Sequence, residues 1–407
     1  MSSSTNLDVL RAVGVVTFAA AFVAQFCAQG VTLFLREAGA PSHVLSFLFL
    51  AGVPYTLRFL WAPLIDGTNL GGKARFNRWI SLSQLGVGAV LFGAAFLSPS
   101  DNAVAIIGCV AVLMLLLGTI QTAIGGIMIE GLSEPAYPKG ASIQAATSAF
   151  SGFALGLGVL YLIAPIGWSS VIVALVAICG LAVGATQLSL RRLPAQTSSG
   201  ALPPKWWGQF SVFAQSNARR LLGFSVSISV ALLVPFALKS VLLIDAGFDV
   251  ATAGLIGIVF GNSAGFVGAV AARPLIERFG GRAVLAILGL TNGLVVLAVA
   301  LLAINGLPTW CIVAVILYAN FGVYAGYTAS RSLLMPMCRE GKQATELAGF
   351  VGLEAILFLI LAGATVSLLD IVGLTPLLLV AGGISLFTGC TAVITRLVRR
   401  RGRTCSQ

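Results

Sequence analysis

Within the run PYTLRFLWAPLIDG, Pro54 to Gly67, an arginine stands among side chains suited to hydrocarbon, and Asp66 closes the run. A guanidinium remains charged at any physiological pH. Alone in hydrocarbon it costs from about 3 to more than 10 kcal/mol, so Arg58 calls for an acid or an anionic ligand. Two further charges, Lys239 and Glu354, fall inside apolar stretches. The neutral polar residues there are Gln25, Gln29, Gln121, Asn262, Asn320 and the tyrosines 318, 324 and 327. Tyr324 and Tyr327 share a helical face, which suits either stacking on an aromatic ligand or packing in a core. Lys239 lies near the end of its stretch, where it either meets a ligand or extends its ammonium to the surface. These residue types bind and couple charge. Metal and redox chemistry has little to work with: seven cysteines (27, 109, 179, 311, 338, 390 and 405) are scattered without a C-x-x-C, and His43 is the single histidine. The pattern is read as no disulfide framework, no metal site, no cofactor and no enzyme.

The elements that must position these residues are membrane helices. Of 407 residues, 58% are hydrophobic and 9% charged, against about 25% charged in a soluble domain. Twelve apolar runs stand out: 13–35, 43–65, 79–98, 103–128, 141–165, 169–189, 221–243, 250–272, 283–304, 308–331, 345–369 and 374–396. Each approaches the roughly 20 residues that a span requires. With the first residues placed inside, every Lys and Arg except Arg36, Arg58 and Lys239 falls in an inner segment. That distribution obeys the positive-inside rule and predicts both termini in the cytoplasm. The net charge of +11 is therefore a topology signal, and no nucleic-acid partner is needed to explain it.

The longest polar interval, 191–220, divides the spans six and six. Its LPAQTSSGALPP reads as flexible linker. The following KWWGQFSVFAQSNARR reads either as an interfacial helix or as an ordinary loop with aromatic anchors. The expected organisation is an N-terminal bundle at 1–190, this linker, a C-terminal bundle at 221–396 and a basic tail at 397–407. PLID (63–66) recurs as PLIE (274–277), and LREAG (35–39) as LIDAG (243–247), in the same order around the linker. The repeats argue for a duplicated six-helix unit, the plan of the major facilitator fold.

GTNLGGKA, Gly67 to Ala74, satisfies the first part of a phosphate-loop pattern. Ala74 replaces the Ser or Thr that would hold magnesium, and a membrane helix precedes the loop where a strand is required. ATP binding is set aside, leaving ion or solute gradients as the energy source. The same loop, LIDGTNLGGKARFNR, resembles the major facilitator signature between helices 2 and 3, and LIERFGGR resembles it in the second half. That resemblance implies latches: Asp66 with Arg75, facing the start of span 11 near Thr345, and Glu277 with Arg282, facing the start of span 5 near Ser142. A helix start attracts negative charge; a solvated turn remains the alternative.

PYTLRFLWAPLIDG also resembles the helix 2 signature of the AmpG-like permeases, and LLMPMCREGKQATELAGF (333–350) their passage from helix 10 to helix 11. The group includes muropeptide permeases, acetyl-CoA transporters and the RhtX/FptX-type siderophore permeases. GTIQTAIGGIMIEG keeps Gln121, but Thr122 and Gly126 stand where muropeptide permeases carry acids, and two additional spans find no room. The resemblance therefore implies a twelve-helix, all-α permease of the inner membrane, importing a siderophore as a ferric chelate or free ligand, with protons as a candidate driving ion. Import of muropeptide, peptide or acylated solutes is the alternative, and a non-transporting sensor or scaffold the second. In the fold it resembles, helices 2 and 11 are neighbours. Arg58 lies eight residues before Asp66 and Glu354 nine after Thr345, equal depths of about 12 Å. An Arg58–Glu354 pair is expected, either a static pair that solves burial or one broken by protonation to couple transport.

Overall fold

The computed structural model describes residues 3–67, 75–158, 167–191, 193, 215–304 and 306–404. The loop at 68–74, the end of the fifth apolar run at 159–166 and the linker with its candidate interfacial helix at 194–214 lie outside the described residues. So do the side chains of His43 and of the tail from 395 onward.

Every regular element among the described residues is helical. The α-helices are α1 (Ser3–Gln25), α2 (Val31–Glu37), α3 (Ser42–Thr56), α4 (Ala62–Gly67), α5 (Arg75–Ala94), α6 (Ala103–Gly131), α7 (Tyr137–Ala154) and α8 (Trp168–Leu190). The series continues with α9 (Ser216–Ala237), α10 (Lys239–Asp245), α11 (Val250–Gly254), α12 (Gly261–Phe279), α13 (Gly281–Ala303), α14 (Thr309–Leu334), α15 (Gln343–Val372) and α16 (Leu374–Thr404). Nine described helical stretches are long and apolar enough to cross a membrane. Their surfaces carry bare apolar side chains, with Leu181, Phe96 and Phe387 all more than 70% exposed. In water such surfaces would associate; against lipid tails they cost nothing.

The expected run 43–65 is not among the nine, because its helix is broken: α3 runs through Pro54 to Thr56, the backbone tightens into a 3-10 turn at Leu57–Leu60, and α4 resumes at Ala62. The runs 79–98 and 141–165 correspond to α5 and α7, which also fall outside that set.

The chain divides into two compact units, one of 1–214 with 335–353 and one of 215–334 with 354–407. Helix α15 thus begins in the first unit and runs on into the second. In the first unit α1 packs on α6, α7 and α8, α3 and α5 pack on α6, and α5 packs on α8. In the second unit α9 packs on α13, α14 and α16, α12 and α13 pack on α14, and α13 packs on α16. Five of these pairings match one for one: α1–α6 with α9–α14, α1–α8 with α9–α16, α3–α6 with α12–α14, α5–α6 with α13–α14, and α5–α8 with α13–α16. This is the packing counterpart of the repeated sequence fragments.

Candidate functional site

The first unit gathers its charges where α4, α5, α6 and α15 end or begin. The first turns of a helix leave backbone N–H groups without intrahelical acceptors. At the start of α15 two of them are met from a distant part of the chain: Asp66 accepts from Thr345 N at 2.7 Å and from Ala344 N at 3.3 Å. The carboxylate also sits at the positive end of the helix dipole.

Arg75, 4% exposed, donates from Nη1 to the Asp66 carbonyl at 2.8 Å and from Nη2 to Glu130, and lies over the Phe76 ring. Glu346, fully buried in the first turn of α15, is gripped by Arg339 through Nε at 2.7 Å and by the Arg339 backbone N–H at 2.8 Å. Cys338 lies beside this cluster. Desolvation first, then the Glu346 and Asp66 carboxylates, pushes its thiol up and away from the thiolate form. It behaves as an inert thiol.

Deeper in the unit, the 3-10 turn carries Arg58. Its Nη1 donates to the Tyr55 carbonyl at 3.3 Å, and the guanidinium lies 4.7 Å over the Tyr55 ring. Gly118 of α6 permits the approach, since a Cβ there would stand 3.2 Å from the Arg58 Cβ. Trp61 Nε1 donates to Thr119 Oγ1 at 3.0 Å, fixing the turn against α6. Within its unit Arg58 forms no ion pair with any described carboxylate. Gln121 accepts from Gln144 Nε2 at 3.1 Å, and a π-helical segment at Phe26–Gly30 carries Gln29, hydrogen-bonded to Gln25 at 2.6 Å. The missing acid at Gly126 has a steric counterpart: a Cβ there would lie 2.4 Å from the Phe76 ring.

In the second unit Glu354 accepts from Arg331 Nη2 at 3.0 Å and from Ser225 Oγ at 2.7 Å. Arg331 lies 4.5 Å over the Tyr327 ring. The expected Arg58–Glu354 pair is thus corrected in one respect: the counter-charge of Glu354 is Arg331, from α14. Tyr324 donates to Asn262 Oδ1 at 3.4 Å, just past a π-helical segment at Leu255–Phe260. Tyr318 donates to Asn292 Oδ1 at 3.0 Å. Lys239 places its ammonium 5.1 Å over the Phe236 ring. Glu277 is 44% exposed and held by Arg273 Nε at 2.8 Å, and Arg282 is exposed.

Sequence reasoning passed over Glu130, Arg331, Ser225, Arg339 and Glu346. Glu130 carried a signal, an acid at the end of an apolar run opposite Arg75. Arg331 and Arg339 were already explained by the positive-inside rule, which hid their pairing.

No family model matches the chain. It is similar to the anhydromuropeptide permease of Escherichia coli (strain K12), 26% identical over 325 residues, and equally to that of Escherichia coli O157:H7. The alignment takes in 77% of this chain but only 64% of the relative's length. Among solved structures, a bacterial homologue of the iron transporter ferroportin in its outward-facing state matches with a TM-score of 0.65 and 16% identity, over 96% of this chain and 98% of that one. The transporter FucP of the major facilitator superfamily, in its outward conformation, matches at 0.63 and 14%, over 95% and 98%. The fold is that of the major facilitator superfamily. At these identities the structural likeness carries the fold alone.

The buried Arg75–Glu130 pair generates a stability prediction. Arg75→Gln strands Glu130, and breaking a buried pair costs roughly 3–5 kcal/mol. Thermal unfolding of the purified chain is expected several degrees lower in Arg75→Gln than in the double variant with Glu130→Gln. Equal losses in the single and double variants would show that the two side chains are not energetically paired.

Proposed function

We propose that the chain is a secondary transporter that moves an anionic, medium-sized solute of the muropeptide kind across the inner membrane. It does so through twelve spans with cytoplasmic termini, by alternating access. The observation that carries the reading is Arg58. It is a permanent cation within an apolar run, steadied among the described residues of its unit by a carbonyl and a ring. A solute carboxylate would complete it with a charge-assisted hydrogen bond. Gln121, Tyr324, Tyr327 and Lys239 supply candidate polar and aromatic contacts. The Asp66–Arg75–Glu130 group serves as the latch in the first half, and Glu277 with Arg282 is its proposed counterpart in the second.

The curated relatives named above support a muropeptide over the siderophore expectation, which gains nothing from an iron-transporter homologue at 16% identity. Protons are the proposed driving ion. Glu354, which accepts from Arg331 and Ser225, is the acid proposed to carry one. The non-transporting sensor has no observation in its favour.

Reconstituted vesicles test the reading. Wild type is expected to accumulate anhydromuropeptide under an imposed pH gradient. Arg58→Ala should lose uptake at least about tenfold, the worth of one bond to a charged group. Glu354→Gln should still equilibrate solute but no longer accumulate it. Accumulation of ferric siderophore instead of muropeptide would restore the siderophore expectation, and uptake of neither would end the transporter reading for these solutes.

A further inference from the structure

Arg331 uses its donors unevenly. A guanidinium has five N–H groups. Arg331 is 4% exposed, and its Nη2 donates to the Glu354 carboxylate at 3.0 Å. Nε and Nη1 are buried with no hydrogen-bond partner among the described residues. A buried donor left unmatched is costly, and arginine is the side chain least able to shed its charge to escape that cost. Two bare donors on one buried cation are a standing demand for an acceptor.

The surroundings set the chemistry of what would meet it. The Tyr327 ring lies 4.5 Å from the guanidinium carbon and occupies one face, leaving the plane of the fork for ligands. Glu354 already shares its own capacity, giving one oxygen to Ser225 and the other to Arg331. Its side chain is 20% exposed against 5% for the arginine, so the acid is the more accessible member of the pair. A neutral acceptor would satisfy geometry but not charge once Glu354 is protonated. A carboxylate satisfies both: its two oxygens match, once Glu354 lets go, Nη2 together with Nε or with Nη1, the donor pairs that share an edge of the planar fork.

We propose that Arg331 is a second anion-binding centre, which takes a carboxylate group of the transported solute on one of its free N–H groups and completes a two-point grip through Nη2 when Glu354 gives up its share. This deepens the transporter reading and rests on it for the identity of the solute, though not for the presence of an anion site.

The test has two arms. In the first, the full chain labelled with 15N-arginine in lipid nanodiscs is titrated with acetate and, separately, with the neutral isostere acetamide. The Arg331 Nε–H resonance is assigned by its loss in Arg331→Lys. Acetate should move that resonance saturably, and acetamide should not. An Arg331 signal indifferent to acetate, or equally moved by acetamide, overturns the proposal whether or not the chain transports anything. In the second arm, vesicle uptake of anhydromuropeptide is compared with that of its carboxamide derivative. Arg331→Gln with Glu354→Gln keeps the buried charge balanced and so separates recognition from folding. Wild type should prefer the carboxylate form by about tenfold or more, and the double variant should lose most of that preference. Unchanged discrimination in the double variant also overturns the proposal. An acetate response without muropeptide uptake would retain the anion site and reject the transporter reading for that solute.

Discussion

One carboxylate on one helix start organises the first unit. Asp66 reaches the bare N–H groups of Ala344 and Thr345, nearly 280 positions away in sequence. Without it the first turn of α15 would be buried with orphaned donors, because Thr345 and Glu346 are fully shielded. The interaction joins a helix dipole to a full charge in a dry setting, where each is worth more than in water. The other charges then follow. Arg75 holds the Asp66 backbone in place, Glu130 neutralises Arg75, and Arg339 neutralises Glu346. These bonds bring 335–353 into the same compact unit as the first half of the chain.

The same accounting applied throughout the apolar interior separates structural charges from those with spare capacity. Glu346 commits both oxygens to Arg339, and Arg75 spends both Nη groups on Asp66 and Glu130 while its Nε has no described partner. Among the described residues of its unit Arg58 has a carbonyl and a ring but no acid, and Arg331 has an acid on one nitrogen and no described partner on two. In the proposed transporter the solute completes such residues for part of the working cycle.

Much of this was legible in the sequence, for physical reasons that can be named. Hydropathy reports lipid contact directly, so helical runs could be read residue by residue. PLID and PLIE marked a duplication that reappears as matched helix pairings. Asp66 was legible because an acid after a span, followed by glycines and basics, has few other uses. The partner of Glu354 was not. Counting residues along a helix gives depth but not the direction a side chain faces, and several cations share a depth. The local break at Leu57–Leu60 was also obscured, since Pro54 sits in a run whose hydropathy is otherwise uninterrupted. Gly126 was read as a missing acid, whereas the Phe76 ring leaves no room for a side chain there.

The central claim is that Asp66 supplies the acceptor for the first turn of α15, and amide hydrogen exchange at Ala344 and Thr345 tests it most directly. Amides at these positions have no intrahelical acceptor and exchange rapidly unless something outside the helix binds them. The account predicts slow exchange at both in the wild-type chain. In Asp66→Ala exchange should accelerate at these two amides, while those of the α15 interior beyond Phe350 stay protected. Rapid exchange at Thr345 in the wild-type chain, or the same rate with and without the Asp66 carboxylate, would contradict it.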